Sequence, residues 1–123
     1  MNLGDTFIWF LGVGREHLYI VLTDPSKNGG KFAAFNLTES VKGAKSLTLH
    51  KGDHPRIIKD SDVDFGDSII ISLEKYEKAV QWGQAIPCEP MDMKIVSKIA
   101  ELIVAGHPAP SGDVTSLIKS QWK

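Results

Sequence analysis

The chain has 123 residues, 42% of them apolar and 24% charged, with a formal net charge of -1; this is the make-up of a single globular domain rather than of a disordered segment. The near-neutral balance excludes the broad positive field with which many nucleic-acid binders hold phosphates and leaves only a local basic patch. Cys88 is the single cysteine, which excludes an internal disulfide and fits a reducing, cytoplasmic setting.

The N-terminus, Met1 to Asp5, has neither the positive start nor the apolar stretch of a signal peptide, and no later run approaches the ~20 apolar residues of a membrane span. Thr6 to Leu11 is a dense apolar and aromatic run ending at Gly12-Val13-Gly14, which predicts a buried first strand and a loop. His17 to Thr23 predicts a second strand, closed by the turn formers Asp24-Pro25-Ser26-Lys27-Asn28-Gly29-Gly30. Lys31 to Leu37 resumes the strand pattern and should pair antiparallel with its predecessor. Ser46 to His50 predicts a short strand, and Asp67 to Ser72, with Ile69, Ile70 and Ile71, a core strand. Five short antiparallel strands in about 70 residues suggest a small barrel or a strongly bent sheet.

From Leu73 the period changes. Leu73, Tyr76, Glu77 and Val80 stand at helical spacing between a Ser72 cap and a Gly83 stop. Met93, Val96, Ile99, Ala100, Ile103 and Val104 trace one face of a helix capped by Asp92 and ended by Gly106 and Pro108. Val114, Leu117 and Ile118 mark a last helix capped by Ser111 or Asp113. The expected fold is therefore α+β, mainly β. Residues 1–123 form a single domain, with a barrel core over 4–83 and a helical extension over 91–123.

Glycine loops for phosphate, dinucleotide fingerprints, HExxH and paired cysteine ligands are all absent from the sequence, so no cofactor and no metal is expected. The densest polar stretch is His50-Lys51-Gly52-Asp53-His54-Pro55-Arg56-Ile57-Ile58-Lys59-Asp60-Ser61, with two imidazoles and three permanent cations between two strands. It reads as a functional loop or as a solvated connection whose Asp53 caps a turn. His17, beside Arg15, opens the second strand, and Asn36-Leu37-Thr38-Glu39-Ser40 ends the third with groups that either bind phosphate or make a local turn. His107 reads as a dipole partner at a helix C-terminus. Trp9, Trp82 and Trp122 share no spacing and read as packing residues rather than a base-stacking platform.

In their order these features resemble the MazF/PemK family of toxin ribonucleases, whose small SH3-like barrels open with Gly-Asp and an apolar strand, as in Gly4-Asp5 and Thr6 to Leu11. Gly14 to Thr23 is similar to the family's basic loop and following strand. The family's next strand ends in a catalytic threonine, a place that Thr38 would fill, and Lys59-Asp60-Ser61-Asp62-Val63 is similar to a family segment with a serine before a strand. The family's Arg-Arg-Pro or Lys-Arg-Pro is absent, and His17 stands at the place of its catalytic arginine. The resemblance covers residues 4–83 and implies single-stranded RNA as substrate, a homodimer and an antitoxin partner.

Metal-free RNA cleavage needs a base for the 2′-hydroxyl, an acid for the 5′-oxygen and a cation for the developing charge. His17 and His54 are the candidate base and acid, since imidazole titrates near neutrality. Thr38 completes the catalytic set, and Arg15, Lys51, Arg56, Lys59 and Ser61 are the candidate RNA-binding residues. The competing reading is a non-catalytic SH3-like module that binds a peptide or nucleic acid through the same surface.

Overall fold

The computed structural model describes residues 1–10, 16–39 and 47–122. It is α+β and mainly β, a curled antiparallel half-barrel of six strands with three helices. The strands are β1 (Thr6–Phe10), β2 (Glu16–Val21), β3 (Lys31–Glu39), β4 (Thr48–Leu49), β5 (Ser61–Ser72) and β6 (Ala85–Cys88). They lie in the order β4-β5-β3-β2-β1-β6. Helix α1 spans Leu73–Gln81, α2 Met93–Val104 and α3 Gly112–Gln121.

Alternation along the central strands sends side chains to two separate cores. Ile20, Leu22, Ala33, Phe35, Leu37 and Val63 point to one face and pack with Val96, Ile99 and Ile103 of α2 and Val114, Leu117 and Ile118 of α3. On the other face Phe7, Tyr19, Val21, Phe32 and Ala34 pack with Tyr76 and Ala79 of α1. Phe7 is the hub of that second core. Its ring stacks on Tyr19 at 5.5 Å and meets Phe32 and Tyr76 edge-on at 6.2 and 4.9 Å.

The helices begin where the sequence places their caps. Ser72 Oγ accepts from the Lys75 N–H, Asp92 from Lys94 and Ser111 from Val114, each satisfying a donor that the first turn leaves unpaired. The last two helices cover one sheet face as part of its core, and their end is tied to the turn after β2. Trp122 Nε1 donates to the Leu22 carbonyl at 2.6 Å, and Gln121 Oε1 accepts from the Asp24 N–H at 2.6 Å. Gly4, at φ +85°, lets the chain entering β1 pass against α2: a Cβ there would stand 3.1 Å from Met93 Sδ and 3.3 Å from the Met91 carbonyl.

Four expectations are corrected. The sheet has six strands rather than five, because Ala85–Cys88 pairs with β1 although Pro87 interrupts its pattern. β5 begins at Ser61 rather than at Asp67, its two halves joined by a bulge where Phe35 faces Ser68 but Asn36 faces Asp64. Ile70 is 38% exposed, and Trp82, expected in a packed site, is 72% exposed. The expected strand positions Leu11 and Ser46 lie outside the described residues.

Replacing Phe7 by Ala removes the ring that joins four others and leaves a cavity in a fully buried site. The expected cost is about 3–5 kcal/mol, seen as a fall in the urea midpoint with little change in slope.

Candidate functional site

β4 and β5 form a hairpin, with Leu49 opposite Ser61 and Thr48 opposite Asp62, so the polar stretch from 50 to 60 is its loop. One rung beyond the last pair, His50 Nδ1 meets Asp60 Oδ1 at 2.9 Å and closes the base of the loop. Asp53 Oδ2 accepts from the His50 N–H at 2.7 Å, the turn-capping role anticipated for Asp53. His54 and Ile57, only 3% and 4% exposed, point inward and anchor the loop to the body of the protein. Lys51, Pro55, Arg56, Ile58 and Lys59 are exposed.

The anchor at His54 is specific. Its Nδ1 accepts from the Arg56 N–H at 3.0 Å, which assigns the ring proton to Nε2. Nε2 in turn faces the Glu89 carbonyl and lies 3.1 Å from Thr6 Oγ1, whose hydroxyl donates to the same carbonyl at 2.6 Å. One imidazole thus joins the loop, the first strand and the segment after β6. Both its nitrogens are occupied within the protein, so His54 is placed as a strut, away from the acid role expected of it.

Between the loop and the strand ends lies a groove of about 850 Å³, lined by Ile8, His17, Leu18, Leu37, Thr38, Pro55, Arg56, Ile57, Ile58 and Ser61. Leu18 and Leu37 are cross-strand partners. His17 and Thr38 are the residues next beyond that last pair, and Thr38 is paired with Asp62. His17, Thr38, Arg56 and Ser61 therefore meet in one groove, and of the four histidines His17 alone lines it. Lys51 and Lys59 stand on the exposed face of the loop and do not line the groove. Arg15 lies outside the described residues.

The other polar groups are already engaged. Ser61 Oγ donates to the Lys59 carbonyl at 3.0 Å, which leaves its oxygen free to accept from a ligand. Thr48 Oγ1 donates to Asp62 Oδ1 at 2.6 Å. Asn36 is buried, its Nδ2 donating to Asp67 Oδ2 at 2.8 Å while its Oδ1 has no partner; it faces Tyr19 rather than the groove. Burial first, and then the Asp67 and Asp64 carboxylates, push the Tyr19 phenol up to about 12. His107, expected as a dipole partner, stacks on Phe65 with centroids 4.3 Å apart.

Cys88 is half-buried, and its thiol donates to the Ile86 carbonyl at 3.4 Å. Among the described residues no group of three or more His, Cys, Asp or Glu side chains is arranged to hold a metal ion. No helix among them is long and apolar enough to cross a membrane. Comparisons with family models, curated proteins and solved structures found no match.

Sequence reasoning missed the contribution of the segment after β6. Glu89 supplies the carbonyl that holds His54, and the only signal was indirect: a buried histidine must find partners for both ring nitrogens.

Two outcomes follow from the loop. His54→Ala strands the Arg56 N–H and removes one of the two donors to the Glu89 carbonyl, and the expected loss of stability is about 1–3 kcal/mol in a denaturant titration. The hydrogen bond to Asp60, and then its charge, raise the His50 pKa. Because the folded value lies above the unfolded one, the stabilisation is complete below about pH 6.5 and is lost as pH rises through the folded pKa. An NMR titration of the His50 ring should show a midpoint above 6.5 that falls back in Asp60→Asn.

Proposed function

We propose that the chain is a MazF/PemK-like endoribonuclease with an SH3-like barrel core, cutting single-stranded RNA without a metal. The observation that carries this reading is the meeting of His17, Thr38, Arg56 and Ser61 in one groove, although they come from the start of one strand, the end of another and a distant loop. Unstacked bases reach such an open groove, whereas a duplex does not present them.

In this reading His17 takes the proton of the 2′-hydroxyl, and the 2′-oxygen attacks the neighbouring phosphorus. The Arg56 guanidinium offsets the charge that builds on the phosphoryl oxygens, while the Thr38 hydroxyl donates to one of them. The bond to the 5′-oxygen breaks, leaving a 2′,3′-cyclic phosphate and a 5′-hydroxyl. With His54 committed to holding the loop, the departing oxygen takes its proton from water. A placed acid contributes about 100- to 10,000-fold, so turnover should be slow for a ribonuclease.

The same strut also supports the alternative of a binding module, since it leaves one imidazole in the groove instead of two. Incubation of single-stranded RNA with the protein in EDTA separates the two. The expected result is cleavage that survives the chelator, ends in cyclic phosphate and falls at least about a hundredfold in His17→Ala. RNA that is bound but left intact, or cut equally by His17→Ala, overturns the enzymatic reading. Homodimerisation and an antitoxin partner belong to the same proposal and are tested by sedimentation and by co-expression.

A further inference from the structure

A second depression, of about 500 Å³, lies beside the groove and is lined by Pro55, Arg56, Pro87, Cys88, Glu89 and Pro90. It shares Pro55 and Arg56 with the groove, so the two depressions adjoin at these residues and a strand laid along the groove can continue into the second. Its size falls within the usual range for a small-molecule pocket of roughly 300–1,000 Å³.

Its two walls are fixed to one another. The Pro55–Arg56 wall is held by the Arg56 N–H on His54 Nδ1, and the Pro87–Pro90 wall by the Glu89 carbonyl at Nε2 of the same ring. Three prolines further restrict the lining. A pocket assembled in advance avoids the cost of ordering its walls around a ligand, which gives the strut at His54 a purpose beyond stability.

The chemistry of the lining is selective. Glu89 is exposed, its carbonyl is turned inward to Thr6 and His54, and its carboxylate has no hydrogen bond or ion pair among the described residues. A carboxylate only accepts hydrogen bonds. Among the four RNA bases, guanine alone carries two adjacent donors, N1–H and the exocyclic amine, on its pairing edge. Adenine and cytosine set one donor beside an acceptor, and uracil flanks its single donor with two acceptors. The carboxylate therefore takes guanine by two bonds and repels an acceptor of each of the others.

We propose that this depression is a nucleotide subsite adjoining the groove, in which Glu89 selects guanine beside the nucleotide held there. The Pro55 and Pro87 rings bound the space for the base, and Arg56 takes the phosphate between the two nucleotides. The assignment rests on the reading of the groove as an RNA site.

The test uses uridine tetranucleotides with 2′-O-methyl groups, which cannot be cut, carrying a single guanine, adenine or cytosine at each position in turn. Binding is measured by fluorescence anisotropy with wild type and with Glu89→Gln, a substitution at an exposed position. The expected result is binding about tenfold tighter for guanine at one position, with the preference abolished in Glu89→Gln. Equal binding of all four bases, or a guanine preference that survives in Glu89→Gln, overturns the subsite. Repeating the series with ordinary RNA separates the two ideas. Cleavage without base preference leaves the nuclease standing and removes the subsite, whereas guanine-selective binding without cleavage does the reverse.

Discussion

The two central strands are buried on both faces. Every residue from Tyr19 to Thr23 and from Phe32 to Leu37 is shielded from solvent, because α1 covers one side of the sheet and α2 with α3 the other. An antiparallel sheet often leaves one face in water; here neither face of β2 or β3 is free along that span. Reactive side chains are thereby displaced to the strand ends, where His17 precedes the buried part of β2 and Thr38 follows that of β3. Antiparallel pairing makes those two ends neighbours, and the loop between β4 and β5 then closes over them.

That loop is ordered by its own side chains rather than by regular structure. His50 and Asp60 close its base, Asp53 fixes the first turn, and His54 and Ile57 hold it down from within. An exposed ion pair such as that at the base adds little to stability in general. The buried imidazole matters more, because losing it leaves the Arg56 N–H without its acceptor and takes one of two donors from the Glu89 carbonyl. Arg56 is exposed beside it: its backbone N–H is bonded to His54, and the residue lines both depressions.

Much of this was readable before any coordinates. Helix caps at Ser72, Asp92 and Ser111 were legible because a cap is a local hydrogen bond between near neighbours. The continuous apolar runs around Ile20 and Phe35 identified their strands because both faces are apolar there. Strand β6 was hidden by Pro87 and by its position between two helices, and the first half of β5 by Asp62, Asp64 and Gly66, residue types that strands disfavour. His54 and His17 look alike in sequence, as polar residues beside short apolar runs. Only the fold distinguishes them, by supplying partners for both nitrogens of one ring and leaving the other on a groove. Trp82 shows the converse, an aromatic residue whose exposure no pattern announced.

The half-barrel does not close, and among the described residues its terminal strands are β4 and β6. An open sheet margin normally invites another chain to add itself by backbone hydrogen bonds. β4 is only two residues long, and β6 is four residues long with a proline at its third position, which removes a donor from the ladder. Both margins are therefore poor templates for fibrillar growth, and the sheet stays discrete without the full closure by which larger barrels remove their edges.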